Sequence, residues 1–343
     1  MLKHDKVIII AEAGVNHNGD INLAKRLIDV AKQAGVDYVK FQTWITEELL
    51  HHDAPKASYQ KINDGEDTSQ YQMLKQLELK HEDFKELKEY CDQHQIKFLS
   101  TPDEEKSLDF LVDELNLAVI KIGSGEITNI PYLRKVGQKK REVILSTGMA
   151  TLKEVEIAYH TLIDNGATKV CLLHCTSSYP APFDSINLKA IQTLKNTFNT
   201  IAGYSDHTIG TEVSIAAVAL GAKIIEKHFT LDQNMKGPDH KASLSPEELN
   251  LLVKQIRNVE KAMLGDGIKQ PTVIELDIKQ TITKGLFWNT NLTGGQIITQ
   301  NDVTSKRPLI NGGFSASQFD EIVGRKLKTN VKKGNPVIKS ELE

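Results

Sequence analysis

The chain enters its first strand-like segment through Val7-Ile-Ile-Ile10 and leaves it through the polar loop Glu12-Ala-Gly-Val-Asn-His-Asn-Gly19. A short apolar run bounded by a turn is typical of a strand buried on both faces, as in a parallel sheet. An open doubly wound sheet would require a GxGxxG phosphate-binding sequence in this first loop. The loop contains no such sequence, so the segment favours a closed barrel over the open sheet.

Seven more strand-like runs follow, and amphipathic segments separate most of them. Gly35, Gly166 and Gly221 close three of those segments, as glycine commonly does at the end of a helix. The eight runs are Val7–Ile10, Tyr38–Phe41, Lys97–Ser100, Ala118–Ile122, Val143–Ser146, Lys169–His174, Thr200–Tyr204 and Lys223–Glu226. Alternating strands and helices predict parallel β/α units, and eight units make a TIM barrel. The sequence therefore predicts an α/β protein with a (β/α)8 barrel over residues 1–265.

The sequence changes character after Leu264. Residues 266–283 are predicted to be a linker, and residues 284–343 a small β-rich domain with turn pairs such as Gly294-Gly295 and Gly312-Gly313. The stretch Pro55–Gln70 is polar and lacks periodicity, which predicts a long loop after the second strand. In a TIM barrel such a loop lies on the active-site face.

Composition excludes several classes of protein. The formal net charge of the 343 residues is -3, with acidic and basic residues interspersed, so we expect no nucleic-acid partner. No apolar stretch approaches the roughly 20 residues of a membrane span. Three cysteines, Cys91, Cys171 and Cys175, predict free thiols in a reducing compartment. Together with the polar first residues, these features predict a cytoplasmic protein.

Polar residues follow every predicted strand, at the end where TIM barrels carry their active sites. Lys40 and Lys121 end two strands, and a glycine-rich turn, Gly123-Ser124-Gly125, follows Lys121. Two lysines that open into one cleft suit an anion that carries phosphate. The alternative is that both are surface lysines, although lysines within strands are seldom buried without a partner.

Two histidines end adjacent predicted strands, in Ser205-Asp-His207 and Glu226-Lys-His228. Neighbouring strands lie about 5 Å apart, so His207 and His228 are predicted to share one divalent cation. Two histidines with open positions would make a catalytic rather than a structural metal site. The alternative for each histidine is a hydrogen-bonded core residue.

Other polar residues have two interpretations. Glu12 is a candidate acid/base or ligand of sugar hydroxyls, or else a buried carboxylate paired with Lys40. Asp239 lies in Gly237-Pro-Asp-His240 after the last strand and could simply form a turn. His174 is predicted to be structural, and Cys175 to be a small core residue rather than a nucleophile.

These motifs together resemble the sialic acid synthases, a family that includes N-acetylneuraminate synthase and legionaminate synthase. The resemblance covers nearly the whole chain. It rests on Glu12-Ala-Gly-Val-Asn-His-Asn-Gly19, Val39-Lys-Phe-Gln-Thr43, Ser100-Thr-Pro102, Lys121-Ile-Gly-Ser-Gly-Glu126, Leu145-Ser-Thr-Gly-Met149, Leu173-His-Cys-Thr176, Tyr179-Pro180, Ser205-Asp-His207, Glu226-Lys-His-Phe-Thr230, Gly237-Pro-Asp239 and Lys306-Arg-Pro308.

The resemblance implies a TIM barrel followed by a small domain similar to type III antifreeze proteins (SAF-like), in a domain-swapped homodimer. It implies phosphoenolpyruvate contacts from Lys40, Thr101, Lys121, Ser124, Ser146, Ser177 and Ser205. It implies sugar contacts from Glu12, Gln42, Tyr179, Asp239 and Arg307, and metal ligation by His207 and His228, usually of manganese, with magnesium or cobalt as alternatives. Ser177 departs from the asparagine of some relatives, and Leu309-Ile-Asn-Gly-Gly313 departs from the usual Gly-Asn-Gly.

The implied reaction condenses phosphoenolpyruvate with N-acetylmannosamine and water to give N-acetylneuraminate and phosphate. Glu12 and Glu226 are the candidates for proton transfer. The main alternative is a synthase of N,N'-diacetyllegionaminate that uses 2,4-diacetamido-2,4,6-trideoxymannose; a pseudaminic acid synthase and a pyruvate-dependent aldolase are more distant ones. The non-enzyme alternative is a carbohydrate- or ice-binding protein built on residues 284–343, in which replacing His207 would have no effect.

Overall fold

Eight parallel strands form one sheet in the computed structural model, which describes residues 6–57, 60–61 and 68–343. They are β1 (Ile8–Gly14), β2 (Tyr38–Thr43), β3 (Lys97–Pro102), β4 (Val119–Ile122), β5 (Glu142–Ser146), β6 (Lys169–Cys175), β7 (Ala202–Asp206) and β8 (Ile224–His228). The hydrogen-bonded order is β3-β2-β1-β8-β7-β6-β5-β4, and β4 lies beside β3, which closes the ring. The predicted TIM barrel is confirmed.

Ten helices accompany the strands within the described part of the first 264 residues. They are α1 (Ile21–Ala34), α2 (Thr46–Leu49), α3 (Gln70–Leu77), α4 (His81–Gln93), α5 (Glu105–Asp109), α6 (Ile130–Gln138), α7 (Leu152–Asp164), α8 (Ala190–Phe198), α9 (Glu212–Ala219) and α10 (Pro246–Ala262). Local sequence fixes their ends. The Asp20 side chain accepts the backbone N–H of Asn22 before α1, and Gly35, at φ 77°, ends that helix in a left-handed conformation.

The described part of the connection between β2 and β3 includes three helices, α2, α3 and α4. The loop predicted over Pro55–Gln70 ends at the first residue of α3, whose cap Ser69 accepts the Gln72 N–H. Residues 58–59 and 62–67 of that predicted loop lie outside the described residues.

Side chains alternate in direction along each strand, and this divides the barrel interior into two layers. One inner layer is apolar and contains Ile10, Tyr38, Leu99, Val119, Ile144, Cys171, Leu173, Ile201 and Ile224. Two residues further along several strands, the inward positions are polar: Glu12 follows Ile10, and Lys40 follows Tyr38. A second, larger apolar core fills the space between strands and helices. The apolar layer thus supports a polar layer at the carboxyl ends of the strands.

The chain divides into two compact units, Met1–Leu264 and Gly265–Glu343. In the second unit, β9 (Gly285–Trp288) pairs antiparallel with β10 (Val303–Lys306), with Trp288 opposite Val303. Trp288 is fully buried in a separate core, and its indole N–H donates to Glu341 at 3.1 Å. The segment 266–283, predicted as a linker, contains a ten-residue helix, α11 (Val273–Ile282), and a short helix, α12 (Phe319–Ile322), follows. No helix in the described part of the chain is long and apolar enough to cross a membrane.

A buried ion pair joins β7 to β8 beside the residues that end those strands. Lys227 Nζ lies 2.9 Å from Asp206 Oδ2 and donates to the carbonyl oxygen of Thr208 at 2.7 Å. Asp206 also accepts the Ser214 hydroxyl at 2.6 Å and the Thr208 N–H at 2.9 Å. Since both charged side chains are at most 1% exposed, water cannot replace a missing partner.

Replacing Asp206 by Asn should therefore lower the free energy of unfolding by about 3–5 kcal/mol, because the buried Lys227 ammonium would lose its countercharge. The matched control is Glu105→Gln, which breaks the ion pair with Lys135 in which both side chains are 50% exposed. That control should cost at most about 1 kcal/mol. Urea denaturation of the three proteins measures both effects, and equal losses in the two variants would contradict the argument.

Candidate active site

A cavity of about 550 Å³ lies at the carboxyl ends of the barrel strands. All the site residues predicted from the sequence line it except Asp239 and Arg307. They are Glu12, Lys40, Gln42, Thr101, Lys121, Ser124, Ser146, Ser177, Tyr179, Ser205, His207, Glu226 and His228. The strand-end prediction thus brought together residues that are more than 200 positions apart in the chain.

Four buried charged side chains form the floor of the cavity, and we call Glu12, Lys40, Lys121 and Glu226 the charged quartet. Lys40 Nζ lies 2.8 Å from Glu12 Oε2 and 3.7 Å from Glu226 Oε2. Lys121 Nζ lies 3.5 Å from Glu226 Oε1. Each of the four is at most 5% exposed. Both lysines are therefore paired, so the surface alternative is wrong, while the pairing of Glu12 with Lys40 agrees with the structural interpretation of Glu12.

The protonation of the charged quartet is uneven. Burial raises the pKa of Glu12 to about 8, with Lys40 opposing and Glu226 adding to the rise. Burial acts on Glu226 too, but Lys121 and Lys40 outweigh it and lower its pKa. Burial lowers the pKa of Lys121, whereas for Lys40 the two carboxylates outweigh burial and raise the pKa. Glu226 is thus held as a carboxylate, and Glu12 is the member that can exchange a proton near neutral pH.

Hydroxyl groups surround the two lysines. Thr101 accepts from Lys40 Nζ at 3.0 Å, and Ser146 accepts from Lys121 Nζ at 2.7 Å. Ser205 donates to Glu226 Oε1 at 3.0 Å. Ammonium and hydroxyl groups that converge on one space can bind the oxygens of a phosphate or carboxylate.

His207 and His228 face the same cavity with ring centroids 5.6 Å apart. His207 Nδ1 donates to the carbonyl oxygen of Thr176 at 2.7 Å, which leaves the lone pair on Nε2. Burial lowers the pKa of His207 to about 4. It also lowers the pKa of His228 well below the usual value, with His207 adding to the effect. Both rings are therefore neutral at neutral pH.

The two histidines fit a divalent cation. His228 Nδ1 is buried and has no hydrogen-bond partner among the described residues, although Asp239 Oδ2 lies 3.8 Å away. The carbonyl that fixes the His207 tautomer is the kind of partner that metal-bound histidines have. Across residues 6–57, 60–61 and 68–343, no cluster of three or more His, Cys, Asp or Glu side chains is placed to hold a metal. The pair would leave coordination positions open.

Tyr179 and Asp239 lie beside His207 and His228, whereas Arg307 belongs to the second unit of the chain. Tyr179 packs against both rings, with centroids 4.1 Å from His207 and 5.7 Å from His228. Asp239 is buried beside His228, and burial raises its pKa to about 6. Arg307 is exposed in the second unit, directly after β10. His174, predicted to be structural, donates from Nε2 to the carbonyl oxygen of Ile186 at 2.6 Å.

Among the cavity-lining side chains that sequence reasoning did not predict are Asp103 and Met149. Asp103 follows β3 directly, and burial raises its pKa to about 7, with Lys40 opposing. The strand-end argument could have found it, because it is the first residue after that strand. Met149 is 76% exposed and has a left-handed backbone with φ 63°, which is unusual for methionine. Nothing in the sequence alone indicated that conformation.

Comparison with protein families gives two matches that together cover most of the chain. The NeuB family matches residues 27–269, and the SAF domain matches residues 284–343. The second match coincides with the predicted β-rich domain.

The chain is also similar to proteins of known name. It is 50% identical to N,N'-diacetyllegionaminic acid synthase of Campylobacter jejuni, over 95% of this chain and 97% of that protein. It is 44% identical to the Legionella pneumophila protein of the same name, over 98% and 94%. Among solved structures, it matches the N-acetylneuraminic acid (sialic acid) synthetase of Leptospira borgpetersenii with a TM-score of 0.69 and 37% identity, over 80% of this chain and 90% of that one.

The neutral state of His207 predicts a pH dependence of stability. Its pKa is about 4 when folded and about 6.5 when unfolded, so the unfolded chain binds the proton first as pH falls. The full free energy of unfolding is therefore present above pH 6.5. Protonation at position 207 lowers it by about 3 kcal/mol as pH falls toward 4. In metal-free protein, His207→Gln should therefore lose less stability than wild type over this range. Parallel curves for the two would contradict the assignment, and the exposed His160→Gln is the control.

Proposed function

Since the chain belongs to the NeuB family of phosphoenolpyruvate-using synthases, we propose that it makes N,N'-diacetyllegionaminate from phosphoenolpyruvate and 2,4-diacetamido-2,4,6-trideoxymannose. The observation that carries the choice of sugar is 50% identity, over nearly the full length of both chains, to an enzyme of that name. The second relative of that name supports the same choice. The comparisons thus favour the alternative over the N-acetylneuraminate synthase that the sequence placed first, and the non-enzyme alternative is set aside.

N-acetylneuraminate synthase remains the second candidate function. It is supported by the structural match to a sialic acid synthetase, at 37% identity. The two reactions share every bond change and differ only in the substituents of the sugar. The charged quartet and the histidines would therefore serve either reaction.

Phosphoenolpyruvate is proposed to bind to Lys40, Thr101, Lys121, Ser124, Ser146, Ser177 and Ser205. The two lysines and the hydroxyls beside them offer the charge-assisted donors that phosphate and carboxylate oxygens require. Fixing the donor in this way replaces a bimolecular encounter by a set geometry.

The sugar is proposed to bind on the side of Glu12, Gln42, Tyr179 and Asp239, and Arg307 is proposed to reach the sugar that the other copy of the chain binds. Gln42 Nε2 donates to Glu12 Oε1 at 3.3 Å, so these two side chains form one polar surface. Tyr179 lies against both histidines, which would place the aldehyde end of the open-chain sugar near them.

His207 and His228 would hold a divalent cation, most simply manganese, with magnesium or cobalt as alternatives. Such a cation supplies Lewis-acid polarisation of the aldehyde oxygen when bound. The residues contribute neutral imidazoles, and the Thr176 carbonyl orients the ring of His207.

The reaction forms one carbon–carbon bond, forms a carbon–oxygen bond from water to C2, and breaks the carbon–oxygen bond from C2 to phosphate. C3 of phosphoenolpyruvate attacks the aldehyde carbon, whose oxygen gains a proton, and water adds to the cation that develops at C2. The tetrahedral intermediate then loses phosphate by C–O cleavage. Glu12 is the first candidate for these proton transfers, because burial holds its pKa near 8. Glu226, a carboxylate held by Lys121, is the second and would stabilise the positive charge at C2.

We also propose a cytoplasmic, domain-swapped homodimer in which the small domain of one copy covers the barrel mouth of the other. Large apolar side chains are exposed on the loops that follow β5, β6 and β7: Met149, Phe183 and Ile209 are 76%, 62% and 58% exposed. Such a rim is typical of a surface that another protein surface covers. The three free, buried cysteines are compatible with a reducing compartment.

The choice of sugar can be tested by phosphate release. Manganese-loaded protein with phosphoenolpyruvate should release phosphate faster with the 2,4-diacetamido sugar than with N-acetylmannosamine. A reversed preference would establish the second candidate. Silence with both sugars would contradict both candidates.

The metal site can be tested without turnover. Isothermal titration of metal-stripped protein with manganese should show one site, and His207→Ala should weaken it by about 10-fold or more, because half of the protein ligands are lost. The control is His160→Ala, which replaces an exposed histidine on α7. Unchanged manganese affinity in His207→Ala would contradict the assignment of this residue.

A further inference from the structure

Gly148 lies on the loop that follows β5, between the active-site residue Ser146 and the strained Met149. Its backbone N–H donates to Ser124 Oγ at 2.9 Å. Ser124 Oγ also lies 3.2 Å from Cys175 Sγ. The loop after β5 is thus tied to the turn after β4 through one hydroxyl group.

A side chain at Gly148 would occupy the point on which several polar groups converge. A Cβ atom there would lie 2.8 Å from Cys175 Sγ, 2.9 Å from Ser124 Oγ, and closer still to Ser177 Oγ. Contacts this short require the neighbours to move. All three atoms are the tips of small side chains, so rotation of those side chains would relieve the clash while the backbone stays in place.

Two of the three displaced groups, Ser124 and Ser177, are hydroxyls that we assign to the phosphoenolpyruvate contacts. We infer that Gly148 is a positioning residue for the phosphate group of phosphoenolpyruvate, since its missing side chain lets these hydroxyls meet at one point. This inference rests on the proposed function. Gly148 has no side chain with which to touch the substrate, and it acts through Ser124 and Ser177.

The chain offers a matched control in Gly137, on α6. A Cβ atom there would lie 2.8 Å from the Leu162 carbonyl oxygen and 2.8 Å from Asn165 Cβ. Those neighbours belong to backbone and to the base of a side chain, and cannot rotate away. Gly137→Ala should therefore cost more stability than Gly148→Ala, although it lies outside the active site.

The experiment compares Gly148→Ala, Gly137→Ala and wild type in the manganese-loaded full chain. Gly148→Ala should raise the KM for phosphoenolpyruvate about tenfold and leave the KM for the sugar within about twofold. Gly137→Ala should lower the melting temperature more and leave both KM values unchanged. Calorimetric titration with phosphoenolpyruvate alone should show the same weakening in Gly148→Ala.

Either of two results overturns the inference: an unchanged KM for phosphoenolpyruvate in folded Gly148→Ala, or an equal rise in Gly137→Ala. If Gly148→Ala fails to fold, Ser124→Ala replaces it in the experiment, because it removes the acceptor of the Gly148 N–H. Ser124→Ala should then raise the KM for phosphoenolpyruvate selectively, and an unchanged KM overturns the inference. If wild type binds phosphoenolpyruvate but turns over neither sugar, the proposed function fails, while the titration still tests Gly148. Absence of phosphoenolpyruvate binding by wild type overturns both.

Discussion

The buried ion pairs among Glu12, Lys40, Lys121 and Glu226 are the interaction on which the rest of the site depends. Burying four charged groups is costly unless each has a partner. Here the Lys40–Glu12 distance of 2.8 Å and the approach of Glu226 to both lysines supply the partners. A phosphate beside this cluster would repel the Glu12 carboxylate and favour its protonated form, so substrate binding and the proton content of Glu12 are coupled.

The barrel makes this cluster possible because side chains alternate in direction along each strand. Ile10, Tyr38, Val119 and Ile224 fill the apolar layer. The charged quartet stands two residues later on the same four strands. This regularity explains why much of the fold and site could be predicted. Short apolar runs revealed the strands, and the polar residue at each end pointed to one common cavity.

Features that depend on contacts between distant segments could not be predicted in this way. The role of Gly148 follows from the approach of Ser177 and Cys175, which lie on another strand and its loop. The left-handed backbone of Met149 has no signal in composition or periodicity. Helix α11 was not predicted and lies in the segment expected to be a linker. Its apolar residues do not form the one-sided pattern of a packed helix, and they are exposed in the structure. The predicted roles of the site residues, the metal and the homodimer stay predictions.

The sugar is harder to infer than the chemistry because different parts of the chain control them. In the proposed mechanism, bond formation involves the charged quartet and the two histidines, which lie on the strands or, like His207, directly after one. Discrimination between acetamido and hydroxyl substituents requires groups that contact the far end of the sugar, and loops carry these groups. Asp103 and Tyr179 both follow strands and line the cavity. A site that hydrogen-bonds an amide N–H rejects a sugar that lacks it more strongly than an apolar pocket can. Specificity should therefore depend on polar loop residues that line the cavity, such as Asp103.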